Sequence, residues 1–192
     1  MARNAERARA SILEAAVQLL RRNGGLTVDQ VASSARCAKG LVHYHFRTKG
    51  ALLAAAASRL AQQRRTRWAQ AFRADTPDAA IRRSWDLLVS ESRDGTLRAW
   101  SALCAERDKV TGQTVSSEVE SFSNAIAQAA DSLVADLGLT PTISIQELGL
   151  LLAAVVHGCG LQLEAGVPPA RLQGAYAAAW LGVLSLTRPA GS

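Results

Sequence analysis

The sequence predicts an all-α protein with an amino-terminal three-helix helix-turn-helix domain and a carboxy-terminal helical bundle, about nine helices in total. Apolar residues recur at helical three-and-four spacing almost throughout the 192 residues, so no strand is needed. The excess positive charge lies in residues 1–50, which hold 9 Lys and Arg against 3 Asp and Glu, whereas the remainder holds 13 of each. A basic segment attached to a neutral body indicates that one small module meets a polyanion. We therefore divide the chain into domains 1–49 and 50–192.

Composition excludes several classes of protein. With 48% hydrophobic and 20% charged residues the chain is globular, not disordered. Three scattered cysteines, Cys37, Cys104 and Cys159, match neither a disulfide framework nor a CxxC metal site, and they favour a reducing cytoplasm. The amino terminus is charged and lacks a signal-type apolar segment, and the longest apolar run, residues 148–156, is well short of the roughly 20 residues that cross a bilayer. We expect a cytoplasmic protein with no membrane partner.

The first quarter contains three predicted helices. The first covers residues 6–22 and stops at Gly24 and Gly25. The second follows the capping box Thr27-Val28-Asp29-Gln30, in which the Thr and Gln side chains satisfy backbone amides, and ends near residue 35. The third covers residues 38–44, with Val42 and Phe46 facing inward. Two short helices joined by a tight turn, the second rich in basic and aromatic residues, are typical of a DNA-reading helix-turn-helix.

Caps and breaks delimit the helices of the body. Residues 50–72 form one long helix, Thr76-Pro77-Asp78 opens the next, and a helix carrying Trp100 ends at Thr111-Gly112. An apolar stripe over residues 115–137 predicts another helix. A second capping box, Ser144-Ile145-Gln146-Glu147, opens a helix that runs to about residue 163, and Pro168-Pro169 starts the last one.

The stretch from Leu26 to Lys49 resembles the signature of TetR-family transcriptional regulators in its caps, its spacing and its ending Tyr44-His45-Phe46. The resemblance covers about the first 53 residues as sequence and extends further as a helical plan. It implies an all-helical homodimer with an amino-terminal DNA-binding domain and a larger domain for ligand binding and dimerisation. It further implies a repressor that a small, largely apolar effector releases from a palindromic operator of double-stranded DNA.

Two positions depart from the family pattern. Arg36 stands where the family usually has Gly, and a left-handed turn there costs a non-Gly residue roughly 1–2 kcal/mol. Either the turn differs, or Arg36 is retained for a phosphate. Ala38 stands where the family tends to place Ser or Thr, so it offers neither a cap nor a hydroxyl for DNA.

The candidate DNA-binding residues divide by role, because phosphate contacts supply affinity and base contacts supply specificity. Lys39 and His43 share an outward face and are predicted to read bases, with Gly40 between them allowing close approach to the groove. Lys49 follows Thr48, a predicted N-cap, and a cation in a first turn is unfavourable unless an anion is present. Residues two apart on a helix diverge by about 200°, so His43 and His45 are not predicted to bind a metal. The full set is Thr27, Arg36, Lys39, Gly40, Leu41, His43, Tyr44, His45 and Lys49.

The body supplies candidate effector-binding and dimer residues. Pockets in helical bundles are mostly apolar with a few polar or aromatic anchors, which selects Trp85, Trp100, Cys104, Phe122, His157 and Gln162. Each of them alone is more often a core residue than a ligand contact. The last helix is apolar nearly all round and needs cover on two sides, which a second subunit provides in a four-helix interface. The interface set is Leu148, Leu152, Val155, Tyr176, Trp180, Leu181 and Leu184.

Two other classes of function are weighed against a regulator. An architectural DNA-binding protein has the same basic module but no use for a neutral body of this size. An enzyme would need catalytic pairs such as His157 with Cys159 or Cys104 with Asp108, but the first pair diverges on one helix, and motifs such as a Ser elbow, phosphate loop or HExxH are not found. We therefore expect no catalytic residue, metal or cofactor.

Overall fold

A computed structural model describes residues 2–74 and 76–190. Within these residues the chain forms nine helices and two three-residue strands, which confirms the all-α prediction. In chain order they are α1 (Ala2–Asn23), α2 (Val28–Ser34), α3 (Lys39–Phe46), α4 (Lys49–Phe72), α5 (Pro77–Arg93), α6 (Thr96–Ala105), α7 (Lys109–Asp136), β1 (Leu139–Pro141), α8 (Ile145–Glu164), α9 (Pro169–Leu184) and β2 (Thr187–Pro189).

The chain divides into two compact units. The first unit contains the residues up to Gln62 together with Asp94–Glu118, and the second contains Gln63–Arg93 together with the residues from Val119 onward. Helices α4 and α7 contribute residues to both. The two units are defined by which residues contact each other. The predicted domain boundary at residue 49/50 instead separates two functions, and it stays a prediction.

In the first unit, α1 to α3 pack around a small apolar core. The buried faces carry the positions that helical spacing selects, including Ile12, Val31, Val42 and Phe46. The capping box at Thr27 is present, with the Gln30 amide donating to Thr27 Oγ1 at 3.2 Å and the Thr27 amide donating to Gln30 Oε1 at 2.8 Å. Satisfied amides at this end let a helix of only seven residues begin where the sequence predicts.

Helix α6 also belongs to the first unit, where it packs against α1. Its N-cap, Gly95, has φ +77°, and a Cβ there would stand 2.2 Å from the Arg21 carbonyl oxygen, so only glycine fits this approach. Arg98 donates to the carbonyl of Arg22 at 3.2 Å, which places a cation at the end of α1. The predicted helix end at Thr111-Gly112 is wrong: α6 ends at Ala105, and both residues lie in the first turn of α7.

The second unit buries aromatic and charged side chains together. The Arg64 guanidinium, 2% exposed, pairs with Glu91, 0% exposed, through its Nη2 at 3.0 Å, and Trp68 Nε1 donates to the same carboxylate at 3.2 Å. Tyr176 donates to Ser84 Oγ at 2.9 Å. Both charges of this ion pair are buried. Separating the two side chains or removing one of them would leave the other charge uncompensated, so the pair holds both in one arrangement.

The two strands, which the helical reading of the sequence did not predict, form a small antiparallel pair. Leu139 lies opposite Pro189, and Pro141 lies opposite Thr187. The Thr142 amide donates to the Leu186 carbonyl at 2.7 Å, and the Ala190 amide donates to the Gly138 carbonyl at 2.8 Å. These bonds tie the carboxy-terminal segment to the α7–α8 connection.

Helix α8 is, within the described residues, the one helix long and apolar enough by length and composition to span a membrane. The longest uninterrupted apolar run in the sequence is shorter than a membrane span. The mean hydropathy of α8 is nevertheless high enough, although the helix contains glycines and His157. A core helix of a soluble protein passes the same test, and α8 packs against α5 and α9 and buries Leu148, Leu152 and Val156. The predicted lack of a membrane partner stays a prediction.

Candidate functional site

The outward face of α3 presents basic and aromatic side chains to solvent. Lys39, Gly40 and His43 are exposed, and Tyr44 has 74% of its surface exposed, whereas Val42 and Phe46 anchor the helix from the other side. Nothing within the described residues lies within 4 Å of a Cβ built on Gly40. The structure therefore brings the two predicted base-reading residues together on an open surface that another molecule can approach closely.

Lys39 already has an anionic neighbour. Its Nζ lies 2.9 Å and 3.0 Å from the two carboxylate oxygens of Asp29 in α2. Both side chains are largely exposed, so the pair contributes at most about 1 kcal/mol and can be exchanged for another anion. The pair orients the Lys39 ammonium along the α2–α3 face, a constraint that spacing within one helix does not reveal.

Both ends of α3 are bordered by arginines in positive-φ backbone. Among the described residues the only non-glycine residues with positive φ are Arg36, at 53°, and Arg47, at 60°. At Arg36 the chain forms a Schellman turn, in which the Cys37 amide donates to Ala32 and the Arg36 amide to Ser33. The turn is thus the left-handed one that the family forms with Gly. This left-handed backbone costs a non-glycine residue roughly 1–2 kcal/mol, and the arginine that adopts it is exposed.

Arg47 is the residue that the sequence interpretation missed. It has φ 60° and ψ −51°, and the Thr48 amide donates to the Phe46 carbonyl at 2.6 Å, which together define a γ-turn. This turn is strained for any L-residue, and such strain concentrates at functional sites. Its signal in the sequence is indirect: a basic residue stands between a helix end at Phe46 and a cap at Thr48.

Helix α4 begins as predicted. Thr48 Oγ1 accepts from the Ala51 amide at 3.0 Å, and Lys49 is the exposed first residue of the helix. Lysine begins α3, α4 and α7, whereas the first turns of α2, α5 and α8 carry Asp29, Asp78 and Glu147. A cation at the positive end of a helix is unfavourable until an anion arrives, so the starts of α3 and α4, next to the exposed face of α3, are suited to phosphate.

The remaining predicted contacts differ in accessibility. Thr27 and Arg36 are exposed, and Leu41 is half-buried. His45 is half-buried too, with its ring edge-on to Tyr44 at 5.2 Å. In the described part of the chain its enclosed Nε2 has no hydrogen-bond partner. Ala38 precedes α3 without a side-chain cap, as its methyl group requires.

The predicted effector residues fall into different units. Trp100, buried, and Cys104, exposed, lie on α6 in the first unit. Trp85, Phe122, His157 and Gln162 lie in the second unit, where Trp85 contacts Tyr176 and Gln162 is exposed on the surface of α8. Within the second unit, only Phe122 and His157 are brought into direct ring contact, at 5.3 Å and 26°.

Phe122 and His157 form the centre of a charged aromatic cluster. The Arg64 Cζ stands 4.8 Å from the Phe122 ring centroid, and the Trp68 ring meets Phe122 edge-on at 5.8 Å. Burial, with a smaller contribution from the Arg64 charge, lowers the pKa of His157 from 6.5 to about 4. The imidazole is therefore neutral at physiological pH. Its enclosed Nε2 has no hydrogen-bond partner among the described residues.

A surface cleft of about 500 Å³ opens in the second unit beside α4 and α7. Four alanines, Phe72 and Leu133 line it together with Arg73, Gln128, Ser132 and Asp136, and polar atoms supply more of its surface than apolar atoms. Its volume is within the range of small-molecule sites. The six predicted effector residues are not part of its lining.

The predicted dimer residues are mostly inside the chain. Leu148, Leu152, Tyr176 and Trp180 are buried core residues, Val155 and Leu184 are half-buried, and Leu181 is 59% exposed. The exposed apolar positions on α8 are instead Leu150, at 60%, Leu151 and Leu161, at 66%. Because both sides of these helices are apolar, periodicity alone could not separate the face that packs inward from the face left outside.

No metal site is found in residues 2–74 and 76–190, where no group of three or more His, Cys, Asp or Glu side chains could hold an ion. Burial raises the pKa of the Cys159 thiol, which disfavours the reactive thiolate.

Residues 12–56 match the family described as bacterial regulatory proteins, tetR family. Over these residues the chain is similar to the TetR family. Solved structures of such regulators extend the likeness in fold to nearly the whole chain. A TetR-family regulator from Rhodococcus sp. superimposes with a TM-score of 0.77 at 21% identity, covering 92% of this chain and 97% of its own. Reduced NemR from E. coli gives 0.73 at 17%, covering 95% and 98%.

A third structure, the SmeT–triclosan complex, gives a TM-score of 0.68 at 20% identity and covers 96% of this chain and 93% of its own. At such identities the likeness establishes the fold alone. No curated protein matches the sequence. The exposed face of α3 and the start of α4 lie within residues 12–56, the stretch that matches the family.

Proposed function

We propose that this protein is a TetR-family regulator, and more specifically a homodimeric, cytoplasmic repressor that binds a palindromic operator and is released by a small-molecule effector. The observation that carries the proposal is the exposed surface formed by Lys39, His43, Tyr44 and Lys49 and bordered by Arg36 and Arg47. A surface with cations at two helix starts and an exposed aromatic ring complements a polyanion and has no use in a neutral binding partner.

Each residue has a distinct task in this proposal. Lys39 exchanges Asp29 for a guanine O6 or N7, and His43, on the same face, reads a neighbouring base edge. Lys49, Tyr44, Thr27 and the two positive-φ arginines contact phosphates, which fix the register of α3 in the major groove. His45 supports the ring of Tyr44 from the half-buried side of α3.

The effector binds the second unit in this proposal. SmeT, which shares the fold, is known as a complex with triclosan, a small molecule. The cluster around His157 provides a neutral imidazole beside apolar rings, and the 500 Å³ cleft provides a solvent-open site of suitable size. We infer a small effector with apolar surface and at least one hydrogen-bonding group. An effector can release DNA only if it binds the two states of the protein with different affinity.

Binding of purified protein to the DNA upstream of its own coding region, followed by addition of candidate compounds, tests the proposal. Specific binding that a compound reverses supports a ligand-released regulator. Binding that ignores sequence would instead indicate the architectural function, and turnover of the compound would indicate an enzyme.

Two substitutions separate phosphate contacts from base contacts. Lys49→Ala should weaken binding to all sequences and lower the slope of log Kd against log salt by about 1, whereas His43→Ala should change the preference at particular base pairs. Arg171→Ala, which removes an exposed cation from α9, is the matched control and should do neither. An unchanged salt slope in Lys49→Ala would rule out its phosphate contact.

A further inference from the structure

We propose that Asp108 and Thr111 form a latch that holds the first turn of α4, and with it Lys49, in the orientation that contacts DNA phosphate. The inference rests on the phosphate contact of Lys49 under the proposed function. It assigns a positioning role to the start of α7, a segment about 60 residues further along the chain.

The first observation is a hydrogen bond between the two helix starts. Thr111 is fully buried, and its Oγ1 lies 3.2 Å from the carbonyl oxygen of Gly50, the residue that follows Lys49. The same hydroxyl lies 3.0 Å from Asp108 Oδ1, which also accepts from the Thr111 amide at 3.0 Å. One hydroxyl proton is thus shared by Gly50 and Asp108, and both acceptors have fixed positions.

The second observation is the absence of space above Gly50. A Cβ built there would stand 2.3 Å from Asp108 Oδ1 and 2.5 Å from its Cγ. The carboxylate therefore occupies the volume that any other side chain at position 50 would fill. Glycine is less favourable in a helix than alanine, so the first turn of α4 gives up helix stability for this contact.

The third observation concerns the carboxylate itself. Hydrogen bonds from the Thr111 amide, and then from the Thr111 hydroxyl, lower the pKa of Asp108. The Asp108 carboxylate accepts both of these bonds and caps α7, whose Gly112 amide also bonds the Asp108 carbonyl at 2.9 Å. The cap anchors the carboxylate against Gly50. Because Lys49 directly precedes Gly50 at the start of α4, fixing Gly50 fixes the backbone that presents the Lys49 ammonium.

Thr111→Val tests the latch, because it removes the hydroxyl without changing charge. In the full-length protein, with duplex DNA from upstream of its coding region, we expect Kd to rise about three- to tenfold. The salt slope should fall toward that of Lys49→Ala. In the Lys49→Ala background the same substitution should change Kd less than twofold, because the latch acts through Lys49.

Thr114→Val is the matched control, because the Thr114 hydroxyl bonds the Val110 carbonyl within α7 at 2.9 Å, and its Kd should equal that of the wild type. Should Thr111→Val fail to fold, Gly50→Ala and Asp108→Ala provide a second cycle. Gly50→Ala should weaken binding by displacing the carboxylate, and the double variant should bind no worse than Asp108→Ala alone.

Two results would overturn the latch: equal affinities of Thr111→Val and Thr114→Val, or an equal loss from Thr111→Val with and without Lys49. A Lys49→Ala protein with unchanged salt dependence would overturn the phosphate contact itself, so the two failures are distinguishable.

Discussion

His157 links the stability of the second unit to pH. Its pKa is about 4 in the folded chain against an ordinary 6.5, so the unfolded state takes up the proton first as pH falls. The contribution of His157 to the free energy of unfolding should therefore be fully present above pH 6.5 and should decline between pH 6.5 and 4. The full decline contributed by this residue is about 3 kcal/mol.

Urea unfolding of the wild type and His157→Gln at pH 7 and pH 4.5 measures this contribution. Carboxylates also titrate in this range, so the informative quantity is the difference between the two proteins at each pH. His157→Gln should lose about 2–3 kcal/mol less than the wild type between the two values. Parallel loss in both proteins would show that the imidazole is protonated as readily when folded as when unfolded.

The positive-φ arginines show why the sequence predicted only part of the DNA-binding surface. Spacing placed Lys39 and His43 on one face and identified the caps at Thr27 and Thr48, because these depend on neighbours three or four residues away. Arg36 was recognised by its departure from glycine. Arg47 was missed, because a γ-turn at a non-glycine residue is disfavoured locally and is imposed by the packing of Phe46 on one side and the Thr48 cap on the other.

At the scale of helices, the contact between α1 and α6 depends on one residue. Gly95→Ala would introduce a Cβ 2.2 Å from the Arg21 carbonyl oxygen at a backbone with φ +77°. The carbonyl belongs to α1 and cannot rotate away, so the two helices must separate. We expect a loss of about 2–4 kcal/mol in the free energy of unfolding, measured by urea denaturation.

Gly112→Ala is the matched control for this prediction. Gly112 is exposed in α7, and a Cβ there meets nothing within 4 Å among the described residues, so alanine should stabilise the protein by about 0.5–1 kcal/mol. If Gly95→Ala unfolded at the same urea concentration as the wild type, the close approach of Gly95 to the Arg21 carbonyl would not affect the free energy of unfolding.

The helix end, the strands and the helix contact that were not predicted correctly are features that the local sequence indicates only weakly. Thr111-Gly112 reads as a helix stop, but the cap at Asp108 starts α7 before it. The three-residue strands contain too few residues for an alternating pattern and exist because the carboxy-terminal segment meets the α7–α8 connection. The packing of α6 on α1 is a contact between residues more than 70 positions apart, which periodicity within one helix cannot reveal.

At the scale of the whole molecule, the exposed faces of α8 and α9 carry the proposed dimer interface. On α8 the exposed positions at helical spacing are Leu150, Ala154, Gly158 and Leu161, and on α9 the small residue Ala178 precedes Leu181. Such uncharged stripes on neighbouring helices are the surface that two copies bury in a four-helix arrangement. An operator-binding dimer also needs this contact, because its two α3 helices must enter major grooves about 34–36 Å apart.

Leu161→Glu and Leu181→Glu should therefore convert the dimer into monomers. Each leucine is buried twice in a two-fold interface, and each burial contributes about 1.5–3 kcal/mol, to which the charge adds a desolvation cost. Light scattering at micromolar concentration should give the monomer mass, with helical circular dichroism unchanged because both side chains are exposed in the single chain, at 66% and 59%. Leu137→Glu, at an exposed position in the turn directly after α7, is the control and should stay dimeric. Operator affinity should fall when dimerisation is lost, since one reading surface alone contacts half the phosphates. Variants that kept the dimer mass would place the interface on another face of the molecule.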